Sequence, residues 1–309
     1  MKRIEKAIIQ TLVFFDILRR PLTLDEIWHY LYRQKASKLQ VFMGLKDLLS
    51  KKIVGKTVSP KTGNIFYHLI GGSPMASKYF TNFSISAQRW QKVTKVLKII
   101  RLTPFVKMIA VINSLSYNNS RQDSDIDILI IAKKGRLWTA RALMILMLEI
   151  IGQNKNQWYQ AGKFCLGFAF DETRLDLRKI KFQDDIDFTY WLANLTPVYD
   201  RGIYHDLIEA NHWLRQELPN WVEKKPPRLE PEKLKRIEKM LSGKFGDKLE
   251  SWLAKIQIAK IWRDPQNKRR GASVIADAAM MKLHPYDQRQ QRQKIWEQGL
   301  DKKIKMALK

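Results

Sequence analysis

Residues 108–132, Met108-Ile-Ala-Val-Ile-Asn-Ser-Leu-Ser-Tyr-Asn-Asn-Ser-Arg-Gln-Asp-Ser-Asp-Ile-Asp-Ile-Leu-Ile-Ile-Ala132, constrain the fold more than any other part of the chain. An apolar run leads through a polar turn into a second apolar run that two carboxylates interrupt. Side chains alternate faces along a strand, so Asp125 and Asp127 project from one side with Cα atoms roughly 6.5 Å apart. Two acids so placed repel, and they are costly to desolvate unless a cation neutralises them. Mg²⁺ suits such a pair, because it takes carboxylate oxygens and shares its other positions with water and phosphate. Two such ions activate an attacking hydroxyl and stabilise the leaving group in phosphoryl transfer. The alternative is a solvated strand end bearing three acids, Asp123 included. The flanking Ile126, Ile128, Leu129, Ile130 and Ile131 argue against it, since ionised carboxylates rarely enter apolar strands unpaired.

The same residues resemble the signature of the DNA polymerase beta-like nucleotidyltransferases: a Gly-Ser pair after an apolar strand, a loop, then acid-apolar-acid on the next strand. Ser114 matches the serine, and Ser124-Asp125-Ile126-Asp127 matches the metal-binding part. Asn113 stands where the family has glycine; asparagine is the next most tolerant residue for positive φ, so the turn is expected to survive. The resemblance covers residues 107–135. It implies Mg²⁺ (two ions, with Mn²⁺ as a substitute) on Asp125 and Asp127, and an NTP whose phosphates meet Asn113, Ser114 and Ser124. It also implies a third acid on a later strand. By position that strand is 163–170, where Cys165 occupies the centre; Asp176, or Asp171, is the substitute. Members of the superfamily act on nucleic acids, antibiotics and proteins, so the signature names a chemistry more securely than a substrate.

Lys and Arg number 56 against 30 Asp and Glu, a formal net charge of +26, which favours a polyanionic partner. Nucleic acid is the first candidate, RNA ahead of DNA, and anionic membrane the second. The most apolar run, 142–151, is too short to span a bilayer and carries Glu149. The first residues lack the apolar core of a signal peptide, so a soluble cytoplasmic protein without a membrane span is expected. Cys165 is the only cysteine, which excludes an intramolecular disulfide and a cysteine-cluster zinc site.

Three helices and a hairpin are expected over residues 1–72. Helical spacing runs from Ile4 to Leu18, Thr23-Leu-Asp-Glu26 has capping-box spacing, and a third helix covers Leu39 to Lys51. Ile53–Val58 and Ile65–Leu69 then flank a turn-rich connection. In order and length this segment resembles a winged helix-turn-helix. Such a unit docks either nucleic acid or protein; for the first, Lys38, Lys46, Lys51, Lys52, Lys56 and Lys61 would meet phosphates. Gly71-Gly-Ser-Pro74 reads as a linker and Pro226-Pro227 as a second boundary.

The fold expected is therefore α/β: a winged helix-turn-helix (1–72), a minimal nucleotidyltransferase core with a mixed sheet (73–222), and a helical C-terminal region (223–309). A long amphipathic helix is expected over 231–262. Lys133 and Arg136 directly follow the acidic strand and either contact a triphosphate or form a solvated turn. His284, Asp287 and Arg289 fall in a loop where Asp287 either caps the next helix or faces a substrate. Two alternatives to a nucleic-acid nucleotidyltransferase stay open. One is a nucleic-acid-binding protein on a degraded transferase core; the other is a transferase modifying a protein partner or small molecule.

Overall fold

Capping chemistry sets the first helices. In the computed structural model, which describes residues 1–60, 62–71, 75–156, 158–226 and 232–308, α1 spans Arg3–Ile17 and opens with Glu5 accepting from the Lys2 amide at 2.8 Å. The Thr23/Glu26 box closes as its spacing predicts and starts α2, Leu24–His29, while Ser37 and Gln40 form a second box at the start of α3, Lys38–Ser50. Antiparallel β1 (Val54–Val58) and β2 (Ile65–Leu69) follow, with Gly63 at φ 68° in the turn. Residues 72–74 of the expected linker lie outside the described residues, as does Pro227. The helix α4, Met75–Ile100, follows.

Next come β3 (Val106–Val111), α5 (Asn113–Ser116), β4 (Ile126–Ala132), α6 (Leu137–Ile150) and β5 (Phe164–Asp171). Then follow α7 (Ile186–Asn194), β6 (Thr196–Asp200), α8 (Ile203–Ala210), α9 (Trp213–Glu217), α10 (Glu232–Met240) and α11 (Lys244–Arg263). The chain finishes with β7 (Ser273–Ala276), β8 (Met280–His284) and α12 (Arg289–Ala307). Six strands form one mixed sheet in the order β6-β3-β4-β5-β8-β7, in which β4 and β5 run parallel and every other neighbouring pair is antiparallel.

The C-terminal region is not purely helical. β7 and β8 join the central sheet, with β8 covering the edge of β5 that would otherwise present unpaired amides and carbonyls. The single helix expected over 231–262 is two, broken at Gly243, which takes φ 80°. Pro197 lies in β6, at the far edge of the sheet. None of the helices in the described residues is long and apolar enough to cross a membrane.

Alternation along the strands builds two cores. Ile109, Val111, Ile126, Ile128 and Ile130 face α4, α6 and α11 through Val93, Trp138, Met144 and Ile261. Met108, Ala110, Leu129, Ile131, Phe168 and Phe170 face the other way, into a cluster shared by α1, α2, α3, α7 and α12. Residues 1–72 are thus built into the body of the protein. Phe14 stacks on Tyr190 at 4.5 Å, and Trp296 of α12 donates to Gln10 O at 2.9 Å.

Candidate active site

The turn after β3 is tied to the acidic strand by backbone, since the Ile112 amide donates to Asp127 O at 3.1 Å. Asn113 follows at φ 57°, the left-handed conformation for which asparagine is suited. Its Oδ1 accepts from Trp191 Nε1 of α7 at 3.1 Å, which fixes the side chain. Ser114 is half-buried beside it and lines the adjacent cavity.

Asp127 lies at the start of β4 and Asp125 just before it, so that alternation puts both on the face that carries Leu129 and Ile131. Asp127 is in register with Cys165 on β5, and ligand atoms of Asp125, Asp127 and Cys165 all lie within 4.8 Å of one another. Lys155 Nζ reaches Asp125 Oδ2 at 2.6 Å. Burial, and then the neighbouring Asp125 carboxylate, push the Asp127 carboxyl above the usual carboxylate range. Burial and then Asp127 push the Cys165 thiol up to about 12, so it stays protonated at neutral pH.

These residues fit a divalent ion. Two carboxylates share one small space, and the ammonium of Lys155 directly engages only one of them. The two oxygen donors suit Mg²⁺ or Mn²⁺, and the sulfur beside them makes the site somewhat softer than an all-carboxylate one. Cys165 takes the place at which a third acid is expected.

The substitutes for that acid lie elsewhere. Asp176 sits in an exposed turn, ion-paired to Arg178 at 2.7 Å, and belongs to neither of the two potential metal-ligand groups among the described residues. Asp171, at the opposite end of β5, accepts from the Gly135 amide. The second ligand group, His205, Glu209 and Glu223, is held by Arg215 at 2.7 and 3.2 Å from the two glutamates.

The structure does not bring Lys133 and Arg136 to the acidic pair. They follow the far end of β4, roughly 20 Å of strand from the acidic pair at about 3.3 Å per residue. Arg136 pairs with Asp247 at 2.6 Å, and the first amides of α6 donate to Glu250 at 2.8 Å. Ser124 Oγ accepts from the Arg121 amide at 3.1 Å and shapes the loop before the strand.

Of the lysines expected to meet nucleic acid, Lys51 pairs with Glu5 at 2.9 Å and Lys38 with Asp25 at 2.7 Å. Lys46 lies over the Phe42 ring at 5.9 Å. Lys52 and Lys56 are exposed, and Lys61 lies outside the described residues. The outer face of α3 is partly apolar, with Leu39 69 % and Met43 51 % exposed.

Sequence reasoning missed Lys155, which sits in a polar loop without periodicity and reaches Asp125 only through the fold. It also missed a cavity of about 350 Å³ against Asn113 and Ser114, walled by Phe168, Trp191, Lys282 and His284. Asp287 lines it too, and its Oδ1 accepts from the Arg289 amide at 3.1 Å at the start of α12. Compared with protein-family models, curated proteins and solved structures, the chain gives no significant match to any of the three.

Proposed function

We propose that the protein is a nucleotidyltransferase that moves a nucleoside monophosphate from an NTP to an acceptor hydroxyl, most naturally on RNA. The observation that carries this reading is the Asp125–Asp127 pair, held on one sheet face beside a left-handed Asn113–Ser114 turn. The acceptor oxygen bonds to the α-phosphorus, the bond from that phosphorus to the bridging oxygen breaks, and pyrophosphate leaves. Mg²⁺ held by Asp125 and Asp127 would supply the charge that the transferring phosphoryl group needs. The Asn113 conformation lets the turn's backbone approach the phosphates, and the Ser114 hydroxyl donates to one of them. Cys165, held as a thiol, is a poor base, so a slow transfer step is expected. The surplus of 26 positive charges supports a nucleic-acid acceptor, and docking it as a winged helix is the role proposed for the N-terminal helices and hairpin.

A second reading, a nucleic-acid-binding protein that has lost catalysis, is favoured by one contact. Lys155 already neutralises Asp125, as a cation would in a site no longer loaded with metal. Calorimetry separates the two readings. The first expects Mg²⁺–NTP binding that falls more than about tenfold in both Asp125→Ala and Asp127→Ala, the loss of at least one charge-assisted contact. Binding that both variants retain removes the assignment.

A further inference from the structure

Between α6 and β5 the chain makes a loop whose feet are fixed beside the acidic pair. Lys155 reaches Asp125 at 2.6 Å, and the Gly162 amide donates to Ser124 O at 2.8 Å. The Lys155 amide donates to Phe164 O at 2.9 Å and joins the two feet. Asn156 shapes the loop between them, its Oδ1 accepting from the amides of Trp158 and Tyr159 at 2.9 and 2.7 Å. That turn fixes the backbone of two adjacent aromatic residues and leaves their side chains in water.

Trp158 is 79 % and Tyr159 69 % exposed, the two most exposed aromatic residues among those described. Neither side chain has a hydrogen bond or a ring contact with any described residue. Their ring faces are open, and two adjacent rings left in water gain from a partner that covers them. Cations without carboxylates stand at the same loop. Lys92 of α4 donates to Gly162 O at 2.7 Å and Lys163 donates to Gly152 O, and neither has an acidic partner among the described residues. Burial, and then the neighbouring Lys163 and Arg89 cations, hold the Lys92 ammonium below its ordinary value. The nearby Asp123 and Asp125 already have cations of their own, Arg121 and Lys155. Open ring faces and unneutralised positive charge therefore lie together, and a polyanion with exposed flat rings answers both. Single-stranded RNA is such a molecule, whereas a duplex keeps its bases stacked inside.

We infer that the α6–β5 loop is a platform for the single-stranded end of the RNA acceptor, its bases stacked on Trp158 and Tyr159 and its phosphates met by Lys92 and Lys163. Trp158 is three residues from Lys155, at most about 11 Å of chain, so a strand seated there lies next to Asp125. The inference rests on reading Asp125 and Asp127 as the site of transfer to RNA, and it names where that acceptor docks.

The test uses the full chain without metal and follows fluorescence anisotropy of three labelled probes: oligouridylate, its duplex with oligoadenylate, and an abasic oligomer of equal length. The parent is compared with Trp158→Ala/Tyr159→Ala, Trp158→Phe/Tyr159→Phe and Lys92→Gln/Lys163→Gln, each verified as folded by thermal unfolding. The alanine pair should weaken single-strand binding about tenfold, the scale of one stacked base, and leave the duplex and the abasic oligomer unaffected. The phenylalanine pair, which keeps the rings, should restore most of that loss. The glutamine pair should flatten the salt dependence for the single strand by about 0.7 per lost phosphate contact. Single-strand affinity unchanged in the alanine pair, or an equal loss for the abasic oligomer, overturns the inference. Vesicles of phosphatidylserine and phosphatidylcholine give the other outcome: binding to them that the alanine pair abolishes, with strand affinity intact, would make the loop a membrane contact and overturn the platform. If label transfer to RNA depends on Asp125 while strand affinity ignores the ring variants, the transfer reading stands and the platform falls. If the rings hold the strand but no label is transferred from any NTP, the platform stands and the transfer reading falls.

Discussion

At Asn113 the backbone and the side chain do separate work. The φ of 57° costs a β-branched residue on the order of 1–3 kcal/mol, so Asn113→Val should lower the melting temperature and weaken NTP binding. Asn113→Gly relieves the conformation but removes the acceptor for Trp191, a loss of about 1 kcal/mol, so its stability should be near the parent's. Thermal unfolding of the pair checks both; equal stability of the Val variant would contradict the turn as described. Cys165 gives a second residue-scale prediction. Because it is in register with Asp127, Cys165→Asp places a carboxylate beside the acidic pair and should tighten Mg²⁺ binding, read by calorimetry; weaker binding would count against the metal site. Asp125 and Asp127 were legible from strand alternation alone. Lys155 was not, because its contact with Asp125 depends on how a loop without periodicity is folded back along β5. Asp176, named as the substitute third acid, is instead engaged locally by the Arg178 guanidinium in an exposed segment after β5.

Among the elements, β8 and α3 have the most to answer for. His284 closes β8 with a pKa lowered to about 4 from the ordinary 6.5. Between those values the unfolded chain binds a proton that the folded chain does not. Stability attributable to His284 is therefore full above about pH 6.5 and is lost as pH falls toward 4. His284→Gln should lose less melting temperature than the parent between pH 7 and 4.5; identical losses would mean the ring is not held neutral. The outer face of α3 mixes Lys46 with exposed Leu39 and Met43, so its partner is decided by substitution. Deleting residues 1–72 would expose the core they share with α7 and α12, and point changes are the cleaner test. Lys46→Gln with Lys56→Gln should flatten the salt dependence of RNA binding by about one to two charges if this unit docks nucleic acid. An unchanged slope would turn attention to a protein partner for α3. The Thr23–Glu26 capping box made α2 legible. Strands of four and five residues carrying Lys282 and His284 gave no comparable signal, since only the open edge of β5 makes them strands.

Over the whole molecule, a surplus of 26 positive charges accompanies a pair of acids at one end of the sheet. Charge alone supplies adhesion that salt weakens; the acidic pair and the Asn113 turn supply geometry that salt does not remove. The central claim is that these parts transfer a nucleotide. The most direct measurement supplies each of the four α-labelled NTPs with Mg²⁺ and total RNA to the parent, Asp125→Ala and Asp127→Ala, and follows label on RNA together with pyrophosphate release. The account predicts label transfer with stoichiometric pyrophosphate from at least one NTP, and its loss by about a thousandfold or more in both variants. Transfer that survives Asp125→Ala and Asp127→Ala, or RNA binding without transfer from any NTP, would contradict it.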